Sequence, residues 1–204
     1  GLRNAVGNRH SVDVQGLAGL MLAARQGRAP GVTLLRGDER VNPNRANQNG
    51  FTALMYAARK GHASVVTLLL ADERVDPNMA NHNGFTALMY AARHGRAPVL
   101  ALLLADERMD PTIADKSGMT ALHYAKDDHT VRVLRADPRV VAAEYLSAAR
   151  EGDAATVASA LRNPLVNPNT IDEKGFTALM IAAHNGHASV VKRSEDTRLN
   201  SSHP

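Results

Sequence analysis

The stretch Gly50-Phe-Thr-Ala-Leu-Met55 decides the fold of this chain, because the sequence repeats it. Three further copies follow, one of them changed at two positions: Gly84-Phe-Thr-Ala-Leu-Met89, Gly118-Met-Thr-Ala-Leu-His123 and Gly175-Phe-Thr-Ala-Leu-Met180. The first three copies begin 34 residues apart, at positions 50, 84 and 118. A fixed period of this length is typical of proteins built from stacked repeats.

Each phrase is predicted to open a short helix. Leu54, Ala57 and Ala58 lie at the helical spacing i, i+3 and i+4, which gives the helix a small, Ala-lined apolar face. Gly61 is a typical helix end, and the apolar residues from Val65 onward predict a second helix.

An extended polar finger is predicted after the second helix. Pro77 stops helical winding, and Asn83-Gly84 is a turn dipeptide just before the next unit. One such unit cannot bury its apolar face alone, so neighbouring units must stack.

These elements together resemble the ankyrin repeat. The closest copy, Thr120-Ala-Leu-His-Tyr-Ala125, differs from the family's Thr-Pro-Leu-His-x-Ala only at Ala121, and the resemblance extends from about Gly16 to Val191. It implies an all-α ankyrin-repeat solenoid of stacked helix-turn-helix units with extended β-hairpin-like fingers. We expect six units, near residues 16–49, 50–83, 84–117, 118–140, 141–174 and 175–192, the last one truncated.

The fourth unit is shorter than the others. The next unit is anchored at Val141, only 23 residues after Gly118, which is 11 fewer than the period. Alignment assigns three of the missing residues to the helix-helix turn near Asp127 and eight to the finger, so this unit should lack its finger. Two interpretations stay open: tolerated drift in one unit, or a notch or hinge in the binding groove.

Both ends of the chain depart from the repeat. Residues 1–15 predict an irregular or disordered segment, and from Arg193 onward the periodicity is lost. Residues 193–204 look like a translated sequencing adapter, and we exclude them from the fold. Because residue 1 is Gly and not Met, the chain reads as a fragment of a longer protein.

Composition limits the possible functions. The absence of cysteine excludes a disulfide framework and agrees with an intracellular, cytoplasmic or nuclear, location. The longest apolar stretch, Ala97 to Ala105, is about half of what a membrane span needs. The 24 Lys and Arg residues and the 20 Asp and Glu residues are interspersed without a run of like charge, which argues against nucleic-acid binding.

The sequence offers no catalytic or metal-binding constellation. The histidines follow the repeat, as at His62 and His187 of the Gly-His positions, and the pair His184 and His187 is interrupted by a helix-ending Gly186. A solvated turn explains Asp127-Asp128-His129, and no nucleophile or phosphate-binding motif occurs. We therefore expect no enzyme activity, no cofactor, no metal and no small-molecule substrate.

A candidate contact surface follows from the resemblance. All three phenylalanines come directly after a repeat-opening Gly, and Met119 takes that place in the fourth unit. In the ankyrin family this position faces the concave groove, which predicts an apolar ladder of Phe51, Phe85 and Met119, with Phe176 as the equivalent in the last unit. The alternative is that each Phe packs against the adjoining finger and stiffens the stack. Tyr56, Tyr90 and Tyr124 share one position that we assign to packing between repeats.

The resemblance implies further contact positions at the ends of the first helices and at the finger tips. On the helix ends these are Arg59, Lys60, Arg93 and His94, and on the tips they are Asn47, Gln48, Asn81, His82, Asp115 and Lys116. Such a surface suits an extended or helical peptide with apolar anchors and acidic flanks.

We therefore expect a monomeric protein-protein interaction module that binds a partner protein or peptide in the concave groove. Two alternatives remain: a recruitment or autoinhibitory segment of a larger enzyme or channel, and polyanion binding through the arginines.

Overall fold

The structure is a computed structural model that describes residues 18–192. It divides into two compact units, unit 1 and unit 2, which meet in the sequence between Leu134 and Arg135. The described residues contain 11 helices and no strand, so the prediction of an all-α fold of helix-turn-helix repeats is confirmed. The predictions for residues 1–15 and 193–204 lie outside the described residues.

Unit 1 contains helices α1 to α6 and all but the last residue of α7. Their bounds are residues 18–26 for α1, Ala29–Arg36 for α2, Ala53–Lys60 for α3, Ala63–Leu70 for α4, Ala87–Arg93 for α5, Ala97–Leu104 for α6 and Asp128–Arg135 for α7. Within one repeat, α3 packs on α4 and α5 packs on α6. Between repeats, α3 packs on α5, while α4 packs on both α2 and α6.

Local sequence fixes where the first helices begin and end. The side-chain oxygens of Thr52 and Thr86 each accept a hydrogen bond of 3.3 Å from the backbone N–H of the third residue of α3 and α5. Helix α3 ends at Gly61, whose φ of +82° places it in the left-handed region. Ala57 and Ala58 are completely buried, so their small side chains allow close packing of the helices.

The fingers are hairpin-like turns, and one side chain in each stabilises the turn by hydrogen bonds to its backbone. In the finger before α5, the Oδ1 of Asn81 accepts hydrogen bonds of 2.9 Å from the backbone N–H groups of Asn83 and Phe85. The N–H of Asn81 donates to the carbonyl of Phe85, which closes the turn. The same arrangement recurs at Asn47, Asp115 and Asp172.

Arginines tie neighbouring repeats of unit 1 together. Arg108 donates to both carboxylate oxygens of Asp106, at 2.9 and 2.7 Å. The same guanidinium reaches back to the carbonyls of Leu70, at 2.8 Å, and of Val75, at 3.0 Å. The carbonyls at the end of a helix lack partners inside the helix. The next repeat therefore satisfies the last carbonyl of α4.

Asparagines in the segments after α2 and α4 make a further link between repeats. Asn78 donates to the carbonyl of Arg108 at 2.7 Å and accepts from the N–H of Asp110 at 2.8 Å. Asn44 makes the equivalent pair of bonds one repeat earlier, with Arg74 and Asp76.

The third copy of the phrase, in the fourth repeat, does not form an α-helix, and the prediction of a helix there is wrong. Residues 121–124 form successive turns, in which the N–H of His123 donates only three residues back, to Thr120. In the other copies the Thr hydroxyl caps a helix, whereas the Nδ1 of His123 here accepts the Thr120 N–H at 3.1 Å. Helix α7 begins eight residues after Thr120, whereas α4 begins eleven residues after Thr52, so three fewer residues are available for the first helix here.

Unit 2 contains the last residue of α7 and the helices α8 to α11. Their bounds are Pro138–Glu151 for α8, Ala154–Leu161 for α9, Ala178–His184 for α10 and residues 188–192 for α11. Helix α8 covers the place where the sequence predicts a missing finger, and it runs for 14 residues with Asp137 as its cap. It packs on α9 and α10 around Tyr145, which is 2% exposed.

We expect Asn78→Ala to lower the free energy of unfolding of unit 1 by about 1–2 kcal/mol, because the change removes two hydrogen bonds between repeats. Urea unfolding measures this loss, and amide hydrogen exchange should become faster at Asp110, whose N–H loses its acceptor. The matched control is Thr112→Ala, 34 residues further on, because the Thr112 hydroxyl bonds within its own repeat to Asp110. Equal losses in the two variants would contradict the proposed link between repeats.

Candidate functional site

Five aromatic rings form a continuous ladder in unit 1. Phe51 lies between Tyr56 of its own repeat and Tyr90 of the next, with ring centroids 5.2 and 5.1 Å away. Phe85 lies in the same way between Tyr90, at 5.3 Å, and Tyr124, at 4.7 Å. Tilted ring pairs at these distances attract one another. Each of these two phenylalanines therefore joins two repeats.

Each tyrosine of the ladder is bonded to the side chain that holds its finger. The pairs are Asn47 with Tyr56 at 3.0 Å, Asn81 with Tyr90 at 2.9 Å, and Asp115 with Tyr124 at 2.5 Å. The two asparagines donate to the hydroxyls, whereas the Tyr124 hydroxyl donates to the carboxylate of Asp115. Burial raises the pKa of Tyr90, and the hydrogen bond to Asp115 raises the pKa of Tyr124.

The ladder is largely covered, and the prediction that Phe85 is an exposed anchor is wrong. Phe85 is 9% exposed, because Tyr90 and Tyr124 lie against it, while Phe51 is half-buried. The expected exposure at the finger tips is also wrong for Asn81 and Asp115, which are 7% and 9% exposed. Their side chains hold the turns instead.

The remaining predicted contact residues of unit 1 lie beside the ladder on a surface that we call the rim. Exposed members are Arg59, Lys60 and Arg93 at the helix ends and Gln48, His82 and Lys116 at the finger tips. Asn47 and His94 are half-buried, and the exposed Met119 follows the fingertip of the fourth repeat.

Arg93 is held in place by the ladder beneath it. Its guanidinium carbon lies 5.7 Å from the ring centroid of Phe85 and 6.0 Å from that of Tyr124. A cation above an aromatic face is attracted by the ring. The guanidinium is therefore positioned by the ladder while the side chain stays exposed.

Sequence reasoning missed Arg25, which extends the rim onto α1. Arg25, Arg59 and Arg93 occupy the same position in three repeats, 34 residues apart, and we call them the arginine row. The signal was present in the 34-residue period, but the first repeat is a degenerate copy that lacks the Phe-Thr of the phrase. All three side chains are exposed.

Contacts from the next repeat hold the backbone of the arginine row. The Nε2 of His62 donates to the carbonyl of Arg25 at 3.1 Å, and the Nε of Arg96 donates to that of Arg59 at 3.4 Å. This approach requires a glycine, because a Cβ at Gly27 would lie 2.7 Å from the His62 ring and the φ there is +71°. Stacking of the repeats therefore sets the spacing of the row.

The rim carries uncompensated positive charge. Helices α1, α3 and α5 contain no Asp or Glu in their described residues. Carboxylates such as Asp38, Asp72 and Asp106 lie after the second helices, each paired with an arginine two residues further on. The Arg40 side chain lowers the pKa of Asp38 to about 2. Within residues 18–192, the row and Lys60 make no ion pair.

Three histidines of the described chain bond to backbone carbonyls. His62 donates to the carbonyl of Arg25, His187 donates to that of Arg150 at 3.0 Å, and His94 donates to that of Tyr90 at 3.0 Å. Among residues 18–192, no group of three or more His, Cys, Asp or Glu could hold a metal ion. No helix in the same range has both the length and the apolar character needed to cross a bilayer.

Unit 2 carries the last predicted contact residue. Phe176 is 46% exposed. Two apolar residues near it in the sequence are exposed as well, Met180 at 55% and Ile171 at 57%. The equivalents of Met180 in unit 1, Met55 and Met89, are completely buried. Phe176 thus occupies the same position as Phe85 in its repeat without the covering rings.

Comparison with protein families identifies the repeat over most of the chain. A family model described as ankyrin repeats (3 copies) matches residues 20–115 and 65–141, and a second, described as ankyrin repeats (many copies), matches residues 145–193. A search of curated proteins finds no match.

We expect Phe85→Ala to lower the free energy of unfolding by about 3–5 kcal/mol, because the ring fills a covered position between two repeats. The matched control is Phe176→Ala, which removes the same side chain from an exposed site and should cost less than about 1 kcal/mol. Urea denaturation of both variants measures the difference. A stable Phe85→Ala variant would mean that the ladder does not hold the repeats together.

Protonation of the Asp115 carboxylate should lower the free energy of unfolding of unit 1. The Tyr124 hydroxyl lowers the pKa of Asp115. A carboxyl whose pKa falls on folding adds stability above its unfolded value of about 4, and that stability is lost as the pH falls through the folded value. In Asp115→Asn, the amide can donate to Tyr124 as Asn81 does to Tyr90. An amide does not titrate, so this variant does not lose the stability that Asp115 loses at low pH.

The urea midpoint should therefore fall less steeply for Asp115→Asn than for the parent when the pH is lowered from about 5 to about 2. The other carboxylates titrate equally in both proteins, so the difference between the two curves isolates Asp115. Curves that coincide over the whole range would show that the bond between Tyr124 and Asp115 contributes nothing.

Proposed function

The chain belongs to the ankyrin repeat family, whose members generally act as protein-protein interaction modules, and we propose that it binds a partner protein or peptide on the rim of unit 1. The contact residues in this proposal are Gln48, Arg59, Lys60, His82, Arg93, His94, Lys116 and, at one end, Met119. Phe51, Phe85, Asn47, Asn81 and Asp115 support these residues from below. Affinity comes from side chains that are ordered before binding, and not from a chemical step.

The observation that carries the proposal is the contrast between the exposed rim and the covered ladder beneath it. Phe85 and Asn81 are buried and joined to neighbouring residues, whereas Arg59, Lys60 and Arg93 are exposed above them. A rigid support reduces the conformational entropy that binding would otherwise cost. The support also explains why an exposed arginine lies over two rings.

Electrostatics favour a partner with negative charge at the rim. Charges that face one another across an interface increase the association rate and discriminate against partners of the wrong sign. Because the rim is exposed, its contribution should weaken as salt rises. A groove-binding partner remains compatible with this proposal through the half-buried residues Asn47 and His94.

A peptide-display experiment tests the proposal. Peptides are selected from a random library on the parent protein, and their affinity is then measured for the variant Arg59→Ala/Lys60→Ala/Arg93→Ala. We expect a loss of about tenfold or more, because a few residues usually dominate an interface. Circular dichroism and urea unfolding verify that the variant is folded.

The control variant, Thr67→Ala/Glu73→Ala/Glu107→Ala, changes three exposed residues on or after the second helices. It should leave the affinity unchanged. Peptides that lose affinity for the control variant but not for the rim variant would overturn the proposal, as would a library that yields no binder.

A further inference from the structure

The arginine row is more regular than a generally basic surface. Arg25, Arg59 and Arg93 are exposed, occur once per repeat at the same helix position, and make no ion pair within the described residues. Burial raises the pKa of Tyr90 and the charges of Arg59 and Arg93 each act to lower it, so both arginines lie near this tyrosine. The row is therefore a line of separate charges along unit 1.

The spacing of the row is fixed by the fold. Packed helices lie roughly 8–10 Å apart, and α3 packs directly on α5. The bonds from His62 to the Arg25 carbonyl and from Arg96 to the Arg59 carbonyl hold these two positions to the next repeat. The arginine positions of consecutive repeats therefore lie roughly 10 Å apart, and the flexible side chains can bring their guanidinium groups to a similar separation.

A polyproline II segment presents charges with this spacing on one side. It has three residues per turn and rises about 3.1 Å per residue, so every third side chain points the same way at intervals of about 9 Å. An α-helix rises only about 1.5 Å per residue, so it reaches a similar spacing of about 10 Å only with every seventh side chain. Polyproline II therefore presents the same line of charges with a shorter segment.

We propose that the arginine row binds an extended acidic segment of a partner protein, with Asp or Glu at every third residue, one carboxylate per arginine. This inference rests on the proposed function and specifies its partner. Carboxylates i, i+3 and i+6 of the segment pair with Arg25, Arg59 and Arg93. Lys60 adds charge beside the middle arginine.

The same features argue for a protein partner over a nucleic acid. Each strand of duplex DNA carries a charge about every 3.4 Å, which is far denser than the row. Proteins that bind single strands usually offer exposed rings for base stacking. Here Phe85 and Tyr90 are each only 9% exposed, and their faces are in contact with one another and with neighbouring rings.

Synthetic peptides test the spacing directly. The first peptide has Glu at every third residue and Pro between, and the second has the same composition with its Glu residues adjacent. A third replaces Glu by Lys. Fluorescence anisotropy with the full chain at low salt should show the first peptide binding at least about fivefold more tightly than the second, and no binding of the third.

Single variants identify the contacts. Arg25→Ala, Arg59→Ala and Arg93→Ala should each weaken binding of the first peptide about two- to fivefold, as expected for exposed ion pairs. The control Arg162→Ala removes an exposed arginine of unit 2, with the same change in net charge, and should have no effect. Removing the middle Glu should abolish the effect of Arg59→Ala, whereas a general charge effect would persist.

The outcomes separate the inference from the proposed function. If display-selected peptides bind the rim but the spaced and adjacent Glu peptides bind equally, the spacing is wrong and the rim is still a binding site. If neither the display-selected peptides nor the Glu peptides bind, both this inference and the proposed function are overturned. Tighter binding of a single-stranded RNA oligonucleotide that is equally sensitive to Arg59→Ala would replace the acidic peptide by a nucleic acid.

Discussion

The structure depends on one constraint: a single repeat can neither bury the apolar face of its first helix nor supply a donor for the last carbonyl of its second helix. The Ala-lined face of a first helix needs another helix against it, and the last carbonyl of a second helix needs a donor. In unit 1 the next repeat supplies both, through the packing of α3 on α5 and the bonds from Arg108 to Leu70. The finger, the ring ladder and the arginine row are all positioned by these contacts. The functional surface is thus a property of neighbouring repeats and not of any one of them.

The period and the helical spacing were sufficient to predict the fold, because they reflect which side chains must be buried. They did not predict what happens in the fourth repeat, where three fewer residues separate Thr120 from α7 than separate Thr52 from α4. Hydrophobic periodicity contains no information on how much of a helix survives such a deletion. A shortened repeat was therefore predictable, and the loss of its first helix was not.

The candidate site was predicted less well, for a related reason. The position of Phe85 in the repeat suggested exposure, but its burial depends on Tyr124, which lies 39 residues further along the chain. Asn81 has a polar side chain at a finger tip, yet it turns inward to hold both the finger and Tyr90. In both cases the partner lies in another element, and no local propensity identifies it. The exposed Arg59 and Arg93 were easier to predict, because they have few partners and their position follows the repeat alone.

In this arrangement, the residues that stabilise the stack are different from the exposed residues that are proposed to contact a partner. A substitution at Phe85 or Asn81 disturbs contacts on which the stacking depends, so these positions have little freedom to specify a partner. The side chains of Arg25 and Arg59 are exposed and outside the ion pairs of the described chain, while their backbone is fixed by the next repeat. Such positions can change charge or size at small cost to folding. Rim side chains can therefore vary while the spacing of their positions stays constant, and in the proposed function that spacing is the feature that a partner matches.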